Sequence, residues 1–146
     1  MQYATQQDMI DSFGEEELIR LTDTNDAPGV IDASAVTRAL DRVSADIDAY
    51  VAQRYPKPFE VIPRLLVGIA CDMARYRLCG IGGRLMSDEV RDRHKDAIAM
   101  LKLIAAGDVK FGADVQDNLV EPVSSVQSTR VTSSSVLAEG LQDYPQ

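Results

Sequence analysis

Val36, Ala39, Leu40, Val43, Ile47, Tyr50 and Val51 recur at spacings of three and four residues. On a helix of about 3.6 residues per turn these positions share one face. Arg38, Asp41, Arg42, Asp48 and Gln53 fall on the opposite face. So long an amphipathic helix hides its stripe only by packing against further elements. The spacing predicts a helix over about 33–54, with Asp32 or Ser34 as its N-cap. Tyr55-Pro56-Lys57-Pro58-Phe59 ends it, because each proline pushes its predecessor into extended backbone.

The flanking sequence supplies the partners. Residues 63–78 contain Leu65, Leu66, Val67, Ile69, Ala70, Met73, Ala74, Tyr76 and Leu78, so this helix is apolar around most of its circumference. It is expected at the centre of the core. Pro63 suits its first position, and Gly80 is read as its stop, followed by a loop through Leu85. Ser87 caps another helix, with Asp88 and Glu89 in its first turn. Val90, His94, Ala97, Ile98, Leu101, Ile104 and Ala105 form its stripe, and Gly107 closes it. Two short helices precede all of these. Thr5-Gln6-Gln7-Asp8 reads as a capping box for one that reaches about Ser12. After Gly14, Glu15-Glu16-Glu17 starts another that reaches about Leu21, its acids complementing the helix dipole.

The expected fold is therefore mainly α: a small helical bundle of about four to five helices over residues 1–112. Aromatic residues make up only 5% of the chain and tryptophan is absent, so the core must be largely aliphatic. From 113 to 146 the composition shifts to Ser, Thr, Val and Gln without a helical period. This stretch is read as an extended C-terminal arm of weak β character. Leu119, Val120, Val123, Val126, Val131, Val136 and Leu137 are its candidate partner-contacting residues. They are too sparse to build a core and too regular for a plain linker. An arm of this kind gains order by pairing with another chain.

A search for chemistry yields no catalytic, cofactor or metal set. The single histidine, His94, lies on an apolar stripe and reads as a half-buried packing residue. Cys71 and Cys79 are about 12 Å apart along one helix, beyond disulfide reach, and read as buried reduced thiols. Cys79-Gly80-Ile81-Gly82-Gly83-Arg84 follows a helix and lacks the lysine and hydroxyl of a phosphate-binding loop. A calcium-loop register that starts at Thr24 puts Pro28 and Ala35 where oxygen ligands belong, so residues 22–29 read as a turn. Arg75, Arg77, Arg91 and Arg93 are placed for ordinary surface bridges to Asp72 or Asp96.

Charge bounds the partners. The chain carries net charge -8, unevenly spread. Residues 1–35 hold eight acids and one base, residues 36–112 ten and thirteen, and residues 113–146 five and one. Duplex binding needs a cationic footprint, which only the middle segment could offer, through Arg38 and Arg42 or through Arg91, Arg93 and Lys95. A small helical DNA-binding regulator is thus the alternative reading, opposed by the overall charge. No apolar run reaches the roughly 18 residues of a membrane helix. The N-terminal residues lack the basic and apolar regions of a signal peptide, so synthesis in the cytoplasm is expected.

Four stretches taken in order carry a resemblance: Tyr3-Ala-Thr-Gln-Gln-Asp-Met-Ile-Asp-Ser-Phe-Gly-Glu-Glu-Glu-Leu-Ile, Asp46-Ile-Asp-Ala-Tyr-Val-Ala-Gln-Arg-Tyr-Pro, Ala70-Cys-Asp-Met-Ala-Arg-Tyr-Arg-Leu and Ala97-Ile-Ala-Met-Leu-Lys-Leu-Ile-Ala-Ala-Gly. Over residues 3–112 the chain resembles the head-tail connector proteins of Mu-like phages and prophages. Val51 stands where that class usually has Leu. The resemblance implies a structural, non-enzymatic protein of the virion neck, made in the bacterial host cytoplasm. It implies a ring of identical copies, commonly twelve-fold, that lines the DNA conduit. The implied neighbours are the portal protein and a tail-side neck or tail terminator protein. DNA would pass without sequence-specific binding, and no membrane or cofactor is involved.

Overall fold

The computed structural model describes residues 1–23, 28–55, 57–81 and 86–111. Five helices follow in order: α1 Gln6–Phe13, α2 Glu15–Thr22, α3 Ala33–Val51, α4 Arg64–Ile81 and α5 Asp88–Ala106. Helices α3, α4 and α5 pack on one another, and the short α1–α2 pair lies against α4 and α3. No strand occurs among the described residues. The mainly α expectation therefore holds, whereas the proposed arm lies outside the described residues.

The helix ends follow the local chemistry. The Thr5 hydroxyl accepts the Asp8 amide while the Asp8 carboxylate accepts the Thr5 amide, a complete capping box. Gly14, at φ +88°, divides α1 from α2 in a conformation that favours glycine. Asp32, rather than Ser34, caps α3 by accepting the amides of Ser34 and Ala35. These bonds hold its carboxyl below the ordinary range, led by one donated by the Ser34 hydroxyl. Ser87 caps α5. Gly107 closes that helix in the left-handed region, with the Asp108 amide bonded back to the Leu103 carbonyl, as in a Schellman ending.

Two ends differ from the sequence reading. Helix α3 stops at Val51, and the chain tightens through bonds from the Arg54 and Tyr55 amides to the Val51 carbonyl. Helix α4 runs through Gly80 to Ile81 instead of stopping there. Leu78 and Cys79 are buried, and their packing outweighs the roughly 1 kcal/mol that a helical glycine costs. Pro63 sits just outside α4, where its carbonyl accepts the amides of Leu66 and Val67.

Helix α4 is central, as its composition requires. Nine of its residues are buried, including Leu66, Ile69, Met73 and Leu78. Val36, Leu40, Val43, Ile47 and Val51 of α3 meet them, together with Leu101 and Ile104 of α5. One end of the core is aromatic. Tyr3, Tyr55, Phe59 and Phe111 form a ring cluster, with Tyr55 and Phe111 centroids 4.7 Å apart. The cluster ties the N-terminus, the α3–α4 connector and the chain beyond α5 together. The Tyr3 hydroxyl donates to Asp48 at 2.5 Å, and Lys57 pairs with the same carboxylate. Burial raises the Tyr3 pKa, and the adjacent Asp48 adds to the effect. Burial also pushes the Asp48 carboxyl up, but bonds from Lys57 and Tyr3 outweigh it and the net shift is downward.

Candidate interaction site

The residues singled out for chemistry are packed against neighbouring side chains. His94 is half-buried and stacks on Tyr76, with ring centroids 3.9 Å apart and planes 8° from parallel. Desolvation lowers its pKa and the nearby Arg77 charge lowers it further, partly offset by Asp46. The stacking on Tyr76 and the partial burial agree with the place of His94 on the apolar stripe. Cys71 and Cys79 are both buried thiols, and burial pushes the Cys71 pKa up to about 11, which suppresses the reactive thiolate. Among the described residues, no group of three or more His, Cys, Asp or Glu is placed to hold a metal ion. No described helix is long and apolar enough to cross a membrane.

The arginines depart most from the sequence reading. Arg75 is not on the surface: it is 9% exposed and forms no bridge to Asp72 or Asp96. Its Nε and Nη2 each lie 2.6 Å from the Glu17 carboxylate of α2. Its Nη1 reaches Glu89 of α5 at 3.4 Å, and its guanidinium lies 4.7 Å from the Phe13 ring centroid of α1. One side chain on α4 thus joins three other helices. Arg77 pairs with Asp46 of α3. The face holding Arg91, Arg93 and Lys95 is neutralised in place: Arg91 meets Asp88, Arg93 meets Asp72 and Glu89, and Lys95 meets Asp92. Only the Arg93–Asp72 pair follows the sequence reading.

Arg38 and Arg42 are different. They stand one turn apart on the exposed side of α3 and have no ion-pair partner among the described residues. Together with Arg77 they edge a groove of about 310 Å³ between α3 and α4. Ala39, Tyr76, Ile81 and Met86 supply its apolar lining. Ile81 is 73% exposed, a large apolar side chain left facing solvent at the end of α4. An apolar lining edged by three guanidinium groups, two of them without an ion-pair partner among the described residues, suits a chain segment that carries carboxylates beside an apolar anchor. The sequence contained one signal for this site, the Arg38/Arg42 pair at i and i+4. The fold adds Arg77 and the lining from α4. The seven arm residues, Leu119, Val120, Val123, Val126, Val131, Val136 and Leu137, lie outside the described residues.

Comparison with known proteins adds a lineage. Residues 3–130 match the family described as Bacteriophage Mu, Gp36. The Mu-like prophage FluMu protein gp36 of Haemophilus influenzae is 32% identical over 91 residues, which cover 62% of this chain and 62% of that protein. Gene product J of Escherichia phage Mu is 28% identical over 114 residues, covering 78% of this chain and 79% of that protein. The chain therefore spans less than two thirds of the FluMu relative's length and about four fifths of the Mu protein's.

Proposed function

The chain belongs to the bacteriophage Mu Gp36 family, and from that premise we propose that it is a structural protein of the virion neck. In this reading it joins portal to tail as an oligomeric ring around the DNA conduit. The observation that carries the proposal is the ordered set of four stretches across residues 3–112, resembling head-tail connectors, within a chain whose family is Mu-like.

The physical features fit. The described helices form a core of 1–111 in which charged side chains tie helices together or face solvent. The groove edged by Arg38 and Arg42, which have no ion-pair partner among the described residues, lies in a chain of net charge -8, so an acidic segment of another copy suits it. Ring subunits use heterologous contacts of that kind, closing by rotation. The division into a helical connector domain over 1–112 and a partner-seeking arm over 113–146 belongs to the same proposal. So do its partners: further copies of itself, the portal, and a tail-side neck or terminator protein. A net negative charge lets DNA slide past the ring without sticking.

A nonsense mutation in the gene tests the reading, with lysates viewed by electron microscopy. The expected products are DNA-filled heads and complete tails that remain separate. Joined, infectious particles without the protein would refute it. Tight, salt-dependent duplex binding by the purified protein would favour the DNA-binding alternative.

A further inference from the structure

We propose that the groove between α3 and α4 seats residues 117–121 of a neighbouring copy of this chain. The inference rests on the neck-ring reading and deepens it by naming where one subunit holds the next.

The groove sets the terms. Arg38 and Arg42 lack ion-pair partners among the described residues, whereas Arg77 is engaged by Asp46. Ala39, Tyr76, Ile81 and Met86 line the same groove. A fitting occupant carries one apolar anchor flanked by two carboxylates. In the C-terminal stretch, positions 117, 119 and 121 are Asp, Leu and Glu. Alternate residues of an extended chain share a face, so Leu119 lies between two carboxylates about 13 Å apart. Pro122 favours extended backbone at Glu121. No base occurs from 111 to 129. Nucleic acid fits the groove less well, since a phosphate backbone offers nothing to its apolar lining and the chain is negative overall.

A second acid–Leu–acid set exists at Glu139, Leu141 and Asp143. The family match runs to residue 130, so it includes the first set and leaves out the second. The first set is therefore the one that belongs to the shared part of the chain.

The ring reading selects a neighbouring copy, and the layout of the fold gives that contact its direction. Phe111 is fixed in the aromatic cluster beside Tyr55, past the C-terminal end of α3. The groove is edged by Arg38 and Arg42, near the N-terminal end of α3. From position 40 to position 51 a helix rises about 16 Å. Arm origin and acceptor groove thus lie toward opposite ends of one helix. That is the arrangement a head-to-tail contact requires.

The test places the photoreactive residue p-benzoylphenylalanine at position 81, beside the groove, in protein made during phage growth. Purified particles are irradiated, and the cross-linked peptides are identified by mass spectrometry. The expected product is a dimer linking position 81 to the peptide that contains 117–121. Linkage to 139–143, to another protein, to DNA, or within one copy would overturn the proposal. Absence of the chain from purified particles would instead overturn the neck reading itself. A charge swap gives an independent readout. Arg38→Glu with Arg42→Glu should cut the yield of joined particles at least about tenfold, and adding Asp117→Arg with Glu121→Arg should restore most of it. A doubly reversed protein that folds normally yet gains nothing over the first variant would also overturn the assignment.

Discussion

Replacing Arg75 by Met keeps most of the side-chain volume and removes the charge that joins α4 to α1, α2 and α5. The cost follows from the contacts. The doubled contact to Glu17, at 2.6 Å from both Nε and Nη2, is a charge-assisted pair in a partly buried setting, worth about 1.5–3 kcal/mol. The Phe13 ring beneath the guanidinium adds about 0.5–1 kcal/mol. Glu89 is 60% exposed and its contact is long, so it adds little, about 0–0.5 kcal/mol. Arg75→Met should therefore destabilise the protein by about 2–4 kcal/mol. Urea titration of the full chain, followed by helical circular dichroism, measures this directly. A double-mutant cycle with Glu17→Gln isolates the pair, with an expected coupling of about 1.5–3 kcal/mol. Loss of less than about 0.5 kcal/mol on Arg75→Met would mean that the arginine behaves as a surface residue and does not tie the helices together.

Met73→Ala, at the centre of the core, should cost on the order of 2–5 kcal/mol in the same titration. A variant as stable as wild type would mean that the centre is misplaced. Gly107→Ala should cost more than about 1 kcal/mol, because Gly107 has φ +86° and a Cβ there would strike the Arg54 guanidinium. Pairing it with Arg54→Met should recover part of the loss. His94 has a lowered pKa in the fold. The unfolded chain therefore binds its proton first, and stability falls as pH drops from about 6.5 toward that lower value. His94→Gln should flatten this part of the pH profile and leave particle assembly intact. A chain ended after Gly112 should remain helical and soluble but fail to join heads to tails, as sedimentation and microscopy of the lysate would show.

Much of the fold could be read along the chain because helix signals are local. Thr5 with Asp8, Asp32, Ser87 and Gly107 sit where caps must, and the α3 stripe has one period over its length. The same locality explains the failures. Gly80 looks like a stop until the burial of Leu78 and Cys79 is known. Arg75 looks like a surface residue because its partners come from other helices, Glu17 of α2 far back in the sequence and Glu89 of α5. The cluster of Tyr3, Tyr55, Phe59 and Phe111 follows no period, since its rings come from segments outside the helices. The candidate site was half legible. Arg38 and Arg42 stood out as a pair, but Arg77, Tyr76 and Ile81 join them only through the packing of α3 on α4. The burial of His94 and the two thiols was legible, because each lies on or among apolar positions.

The central claim is that this chain forms a ring in the particle, between portal and tail. Electron cryomicroscopy of the neck of purified virions tests it most directly. The expected result is a ring of density into which the five described helices fit, with an extended segment crossing from each subunit to the next. A neck fully explained by other proteins, or purified particles that lack this chain, would contradict it.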